Sequence, residues 1–447
     1  MINIILKPYK EESLLRFHPW VFSGAIARIV PDKSSNHAEP EEGEVVCVKD
    51  STGKVLGVGH WQIGSIAVRI LEFGVNMLPR TFWSDRIAAA YAMRQSMGLI
   101  RPMVNRQSSN GQCNNTYRLI HGEGDFLPGL VVDIYADTAV VQAHSVGMHR
   151  YRQQIAEAIL DNVPEVKSIY YKSDDTLPFK ADIPAGDKVG YLTPASSLAP
   201  DGERVSEGRE RGFWSTENGL EFRIDWLRGQ KTGFFVDQRD NRALVERYAK
   251  GRDVLNMFCY TGGFSVYALR GGARRVVSVD VSEKAVALVR DNVAHNFPNC
   301  TNHEAVAADC FDYFDQIAHS ASSLALSEQS ERFGERVPEG RERGFDLIIL
   351  DPPAFAKHRD AIKNALRGYQ RLNAKAFEQI RPGGILFTFS CSQAIDKEMF
   401  RLAVFSAAAQ VGRKVRILHQ LHQPCDHPIN IYHPEGEYLK GLVLYVE

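Results

Sequence analysis

Three short stretches in the second half of this 447-residue chain hold residues whose types and spacing suit chemistry. The first is Asn256-Met257-Phe258-Cys259-Tyr260-Thr261-Gly262-Gly263-Phe264, which joins an apolar run to a helical one. Two adjacent glycines let backbone approach a ligand closely, and the helix start offers free N–H groups. The next apolar run ends in Asp280, placed to accept hydrogen bonds from ribose hydroxyls. The glycines are not spaced Gly-x-Gly-x-x-Gly, so a dinucleotide pyrophosphate is poorly served. A ligand with a ribose and an amino-acid tail fits better, and S-adenosylmethionine has that shape. The candidate contacts are Phe258, Tyr260, Thr261, Gly262, Gly263, Phe264 and Asp280, with Asp309 near the adenine. Asp309 also reads as a helix N-cap ahead of Cys310-Phe311, and the glycines also read as a plain tight turn.

The second stretch is Leu350-Asp351-Pro352-Pro353. A carboxylate followed by two prolines is held on a stiff, extended turn. It can hydrogen-bond the ring nitrogen or exocyclic amine of a flat base. The third is Thr388-Phe389-Ser390-Cys391-Ser392, which puts a thiol at the end of the next apolar run. Most cysteines are small buried hydrophobes, and the other six read that way. Cys391 differs by ending a strand beside the expected cofactor cleft, between hydroxyls. Pyrimidine carbon 5 is a poor nucleophile, and a thiolate adding at carbon 6 turns it into an enamine that can attack a methyl donor. Such covalent catalysis splits one difficult step into two. A free thiol has a pKa of ~8.5, so it must be depressed or deprotonated locally.

Two further stretches are rich in donors. In Lys231-Thr232-Gly233-Phe234-Phe235-Val236-Asp237-Gln238-Arg239 we take Gln238 as a cofactor contact and Lys231 and Arg239 as substrate contacts. Pro352, Pro353 and Lys440 are the other candidate substrate contacts, the last within Tyr438-Leu439-Lys440-Gly441. Asp426-His427-Pro428 lies nearby in sequence. Plain surface polarity explains these stretches about as well.

The elements that must position these groups are legible in outline. From about residue 226, strand-like and helix-like runs alternate, which implies a parallel α/β sheet. Asp253 to Phe258, Arg275 to Asp280, Phe345 to Leu350, Ile385 to Phe389 and Gly441 to Val446 read as strands. Phe264 to Leu269, Glu283 to Asn292 and Arg371 to Ile380 read as helices, the last stopped by Pro382-Gly383-Gly384. Residues 1 to about 73 hold short β-branched runs around Val46, Val58 and Val68. Residues 79 to 98 have helical periodicity, with Phe82, Ile87, Ala90, Tyr91 and Met97 on one face and Gly98 as the stop. Leu130 to Tyr135 and Thr138 to Gln142 make a hairpin around Ala136-Asp137, and 101–116 reads as a polar loop.

Composition is that of an ordinary globular chain: 44% hydrophobic, 24% charged, net charge −1. That balance excludes a globally basic nucleic-acid binder but not a local basic face. Arg80 to Arg118 holds six arginines and one acid, Asp85, and is the expected place for such a patch. Seven cysteines with no signal segment and no CxxC spacing argue against a disulfide scaffold or a structural zinc site. No apolar run approaches the ~20 residues of a membrane span. A cytoplasmic protein without a membrane partner is expected. One oddity is Gly202 to Phe213, which recurs from Gly334 to Phe345 with only Ser206 changed to Pro338. Both copies are polar and Gly-rich and read as inserted surface loops, with paired basic arms as the other reading.

Taken together these motifs resemble the ribosomal RNA large subunit methyltransferase I family. Arg16-Phe17-His18-Pro19-Trp20-Val21-Phe22-Ser23-Gly24 is similar to the opening of its PUA domain. Tyr117-Arg118-Leu119-Ile120-His121-Gly122-Glu123 and Leu127-Pro128-Gly129-Leu130-Val131-Val132-Asp133 resemble its middle domain. The Lys231 to Arg239 stretch, Asp351-Pro352-Pro353, Ser390-Cys391-Ser392 and Tyr438-Leu439-Lys440-Gly441 resemble its catalytic signatures. The resemblance implies an α/β fold with three parts. They are a β-rich PUA domain at 1–75, a mixed α/β domain at 76–225 with an insert near 195–213, and a Rossmann-like class I methyltransferase domain at 226–447 with an insert near 318–344. It also implies methylation of carbon 5 of a cytosine in large-subunit (23S) ribosomal RNA from S-adenosylmethionine, with Cys391 as nucleophile. Many RNA cytosine-5 methyltransferases carry a second cysteine after the acid motif's proline. Here Ala354 follows Pro353, so release must rely on another base.

Other classes stay open on the residues alone. Amine methylation of a base or protein needs an acid-Pro-Pro motif and no thiol. A non-catalytic RNA-binding assembly factor would bind RNA without methyl transfer. A nicotinamide oxidoreductase is disfavoured by the missing Gly-x-Gly-x-x-Gly. Association into a homodimer through the first two domains is a further expectation.

Overall fold

A computed structural model describes residues 1–31, 37–100, 114–178, 182–193, 213–319, 344–356 and 359–447. Most of both copies of the repeat and the 101–113 loop lie outside them. The described chain forms two compact units, and its course between them is interleaved. One holds Met1–Gly219, Ile224–Val236 and Cys425–Gly436; the other holds Leu220–Arg223, Asp237–Pro424 and Glu437–Glu447. The N-terminal unit thus combines the stretches that the sequence separates at residue 75, and it claims two segments from the expected third domain.

The second unit is built on a seven-stranded sheet. Its strands are β1 (Asp253–Met257), β2 (Arg275–Asp280), β3 (His303–Ala307), β4 (Phe345–Leu350), β5 (Ile380–Ser390), β6 (Val415–Leu421) and β7 (Lys440–Val446). The order across the sheet is β3-β2-β1-β4-β5-β7-β6. The first five run parallel, and β7 runs antiparallel to both β5 and β6. Helices α1 (Arg239–Ala249), α2 (Gly263–Arg270), α3 (Glu283–Asn296), α4 (Ile362–Gln379) and α5 (Lys397–Val411) cover it. Both faces are buried, so the central strands read as continuous apolar runs. In β1 the alternation splits the core, with Leu255 and Met257 packed on one side and Val254 on the other. The strand order reverses beside β1, and in open α/β sheets ligands bind at the carboxyl ends of the strands at such a point.

Three sequence readings need correction here. Helix α4 begins at Ile362, nine residues before the expected Arg371. It ends at Gln379, and Pro382-Gly383-Gly384 lies inside β5 rather than after a helix. The pairing skips from Phe345↔Ile380 to Leu347↔Ile385, so the Pro-Gly-Gly segment forms an irregularity where a residue without an N–H is tolerated. Strands β3 and β6 and helix α5 were not among the expected elements. β6 is an edge strand whose inner five residues are all exposed, so it carries no apolar alternation.

The first unit contains a six-stranded and a five-stranded sheet. The six-stranded one runs Trp20–Phe22, Ile66–Phe73, Val55–Trp61, Val45–Lys49, Asn3–Leu6, Ile26–Val30 in spatial order. Its core is Ile2, Ile4, Leu6, Val46, Val48, Val68 and Ile70. The five-stranded sheet includes the expected hairpin, Leu130–Tyr135 and Thr138–Ala143, with Ala136 at φ 54° in the turn. The expected helix at 79–98 is Phe82–Ser96. Its buried face differs in one position: Met97 is 38% exposed and Arg94 is wholly buried. The Arg94 guanidinium forms a two-pronged ion pair with Asp125 and donates to the Asp426 carbonyl at 2.7 Å. Arg118 is likewise held by Asp133 at 2.7 Å, and Arg86 by Glu72 at 2.7 Å. The expected basic patch is therefore not formed by these arginines, because carboxylates 14 to 31 residues away pair with them. Arg101 and Arg106 lie outside the described residues.

In the same unit His18, His433 and Glu435 bring ligand-type atoms within 4.8 Å of one another. The Trp20 N–H donates to His18 Nδ1 at 3.3 Å, which leaves the proton on Nε2, turned toward Glu435 at 3.7 Å.

Candidate active site

The turn after β1 is shaped by backbone conformations that side chains resist. Phe258 and Tyr260 have φ of 58° and 46°, and Gly262 has φ 82°. Left-handed backbone is unfavourable for bulky residues and clusters at functional sites. The turn is tied down on several sides. Cys259 N–H donates to the Val279 carbonyl at 3.0 Å, and Gly262 N–H to the Cys259 carbonyl at 2.8 Å. Asn292 of α3 donates to the Thr261 carbonyl at 2.8 Å. A Cβ on Gly262 would lie 2.8 Å from Val289 Cγ1, and one on Gly263 would lie 2.9 Å from Arg242 Cδ. A side chain at Gly262 would need Val289 to shift and is also disfavoured by the backbone conformation, and one at Gly263 would need Arg242 to move.

Asp280 ends β2 beside this turn. Its Oδ2 accepts the Tyr260 N–H and its Oδ1 accepts the Ser282 N–H, both at 2.9 Å. These bonds fix the carboxylate's orientation and use two of its roughly four acceptor positions. Asp309 follows β3 and caps the helix that starts at residue 310, accepting from Phe311 N–H at 2.8 Å. The N-cap reading is thus realised, and it places the carboxylate at the carboxyl end of β3. An α2 start without Cβ atoms, next to an oriented carboxylate at the adjoining strand end, fits a nucleoside with a charged amino-acid tail.

The acid motif sits after β4. Gln238 donates from Nε2 to Asp351 Oδ1 at 3.0 Å, and Asn241 donates to Gln238 Oε1 at 2.7 Å. This chain of amides sets the aim of the Asp351 carboxylate. Gln238, expected at the cofactor, is bonded to the acid. Pro352 is buried and Pro353 exposed. Arg239 is 2% exposed, with its Nε 3.5 Å from Asp240. Lys231 belongs to the other unit, where its ammonium sits 4.5 Å from the Phe235 ring centre.

The cysteine turn follows β5. Its two serines are anchored from α4, where Tyr369 is fully buried. Ser390 donates to the Tyr369 hydroxyl at 2.9 Å, and that hydroxyl shares a 3.0 Å bond with Ser392 Oγ. Ser392 Oγ also accepts the Ala356 N–H at 3.3 Å, linking the cysteine turn to the segment after Asp351. Cys391 is half-buried between them. Lys440 lies opposite Ser390 in the β5–β7 register. Its ammonium is buried and donates to the Ser392 carbonyl at 2.7 Å. Gly441 beside it cannot carry a Cβ, which would meet Phe389 Cδ1 at 2.6 Å. Tyr369 and Asn241 were missed from sequence: each reads as one more polar residue on a helix.

Comparisons with known proteins bear on the family and the fold. The model of the S-adenosylmethionine-dependent methyltransferase family matches residues 200–430, and that of the PUA-like domain matches residues 4–73. The protein of Tolumonas auensis named ribosomal RNA large subunit methyltransferase I is 37% identical over 444 residues, covering 99% of this chain and 98% of its own. The protein of the same name from Shewanella frigidimarina is 36% identical over 448 residues, covering 100% and 99%. Among solved structures, a Streptococcus mutans protein assigned as a SAM-dependent methyltransferase superposes with a TM-score of 0.74 at 21% identity, both chains covered in full. A methyltransferase-type structure in complex with S-adenosylhomocysteine gives 0.76 at 21% identity, again with full coverage. Those two likenesses speak to the fold. No helix among the described residues is long and apolar enough to cross a membrane.

Proposed function

The chain belongs to the ribosomal RNA large subunit methyltransferase I family of S-adenosylmethionine-dependent methyltransferases, and we propose that it methylates carbon 5 of a cytosine in large-subunit ribosomal RNA through a transient bond to Cys391. The observation that carries this reading is one shared edge. The oriented acid Asp351 and the half-buried thiol of Cys391 end neighbouring parallel strands, beside the glycine turn suited to the cofactor.

S-adenosylmethionine supplies an electrophilic methyl group. The chain's residues do the rest. Gly262, Gly263 and the turn from Phe258 to Phe264 receive its amino-acid end, Asp280 its ribose hydroxyls and Asp309 its adenine side. Asp351, held by Gln238 and flanked by Pro352 and Pro353, hydrogen-bonds the Watson–Crick edge of the base. Cys391 adds through sulfur to carbon 6, and the electron pair displaced from the double bond makes carbon 5 nucleophilic. After methylation a base removes the carbon 5 proton, the double bond re-forms and the thiolate leaves. The PUA-like domain adds RNA contacts, and Lys231 is a further candidate outside it; Arg239 is too buried to be one.

The test is methyl transfer from labelled S-adenosylmethionine to deproteinised large-subunit rRNA from cells lacking this protein. Wild type and Cys391→Ala run in parallel, with nucleoside analysis of the product. We expect 5-methylcytidine from wild type and none from the variant. A variant that still transfers methyl, or a methylated amine as product, overturns the covalent reading and makes Asp351 the centre of the site.

A further inference from the structure

Lys440 is an unusual lysine. It is 5% exposed, and its ammonium donates to a neutral group, the Ser392 carbonyl. Buried ammonium groups are costly unless a negative charge answers them. Two carboxylates lie within electrostatic reach, Glu437 and Asp396. Glu437 is paired with Lys397 at 2.5 Å, and Asp396 caps α5 by accepting the Met399 N–H at 2.8 Å. Neither forms an ion pair with Lys440 among the described residues. The group that does most to favour its charge is Cys391.

We infer that Lys440 is the counter-ion of the Cys391 thiolate, a positioning residue that sets how much of the nucleophile is ionised, rather than a contact for RNA. The inference rests on the proposed role of Cys391. In the resting site one proton is shared: the Cys391 thiol gives it to the Lys440 amine, sulfur keeps the bonding pair, and thiolate faces ammonium. On attack that pair becomes the bond to carbon 6, and the ammonium is left without its counter-charge. On release the pair returns to sulfur and the ion pair re-forms, so Lys440 ends as it began. Burial pulls the Lys440 ammonium down to about 8; Cys391, Glu437 and Asp396 oppose that, while Lys397 reinforces it. A lysine near that value exchanges protons readily with a thiol of similar acidity. The Cys391–Lys440 pair then titrates as a unit.

The experiment is the pH dependence of Cys391 alkylation by iodoacetamide in the full chain without cofactor. Modification is read by peptide mass spectrometry, because Cys300 and Cys425 are also accessible. In wild type we expect a midpoint clearly below the ~8.5 of an ordinary thiol. Lys440→Gln should raise it by about one unit or more and slow alkylation near pH 7 by about tenfold, the usual size of a lost charge partner. Lys440→Arg, which keeps the charge, should retain the low midpoint. A wild-type midpoint at or above ~8.5 overturns the inference without any variant, as does an unshifted midpoint in folded Lys440→Gln. The readout needs no methyl transfer. A lowered midpoint combined with an active Cys391→Ala would therefore keep the ion pair and sink only the nucleophile.

Discussion

Two cysteines end parallel strands at one edge of the same sheet, and they have opposite charges beside them. Cys259 follows β1, is buried, and sits in a turn whose neighbouring charge is the Asp280 carboxylate. Burial and that negative charge both push its thiol well above the ordinary value. Cys391 follows β5, is half-buried, and has the Lys440 ammonium as its neighbour. One turn is thereby suited to a nucleoside with hydroxyls to donate, and the other to a nucleophile. The difference lies in the charge beside each sulfur, and in both cases that charge comes from another strand. The same cysteine is inert or reactive according to its partner across the sheet.

The sharpest way to break this contrast is to remove each sulfur in turn. Cys391→Ala should lower methyl transfer by about a thousandfold or more, since the covalent route is lost outright. Cys259→Ala should leave transfer within a few fold and cost about 1–2 kcal/mol of stability for the small cavity, read by denaturant unfolding. Full activity in the first variant or none in a folded second would dissolve the distinction.

The next largest effect tests the cofactor side. Asp280→Ala removes the acceptor expected for the ribose hydroxyls. Hydrogen bonds to a charged group contribute about 1.5–3 kcal/mol, so binding of S-adenosylmethionine should weaken by about 10- to 100-fold in calorimetry. An unchanged affinity would move the nucleoside away from the β2 end. Tyr369→Phe is gentler. It deletes the hydroxyl that joins Ser390 and Ser392, each bond being worth about 1 kcal/mol. We expect kcat to fall about fivefold to tenfold with KM nearly unchanged; a change confined to KM would detach Tyr369 from the cysteine turn.

The last effect is in pH. Lys440 has a folded value of about 8 against an unfolded 10.5. Between those values the unfolded chain binds more protons than the folded one, so this group makes stability rise with pH. Its contribution is fully present above 10.5 and is lost as pH falls through 8. The stability difference between wild type and Lys440→Gln should therefore shift in favour of wild type from pH 8 to pH 10. A flat difference would mean Lys440 titrates normally.

The central strands of the catalytic sheet were readable because they are buried on both faces and therefore apolar throughout. The three chemical stretches were readable for a related reason: they interrupt those runs at strand ends. β6 was not, because an exposed edge strand has no apolar signature. Gln238 and Lys440 were legible as site residues but not their partners, and Asn241 was missed. Gln238 and Asn241 reach Asp351 from about 110 residues upstream, and Lys440 lies opposite Ser390, next to Cys391, through an antiparallel pairing that strand-by-strand reading does not specify. Arg94 misled for the same reason. It follows the helical spacing of a core position, but only Asp125 and a carbonyl more than 300 residues away make that position tolerable for a charge.

That last contact has a consequence for how the protein is made. The segment Cys425–Gly436 belongs to the N-terminal unit. It supplies the Asp426 carbonyl to Arg94, the Asp426 carboxylate to the Arg118 N–H at 3.0 Å, and an Asn430 donor to the Glu123 carbonyl at 3.2 Å. In sequence this piece comes after most of the second unit. Through most of synthesis the first unit to leave the ribosome holds a guanidinium short of one acceptor and an open seat where Pro428 will press against Gly124. A chain cut before residue 425 therefore lacks part of both units, Cys425–Gly436 of the first and Glu437–Glu447 of the second.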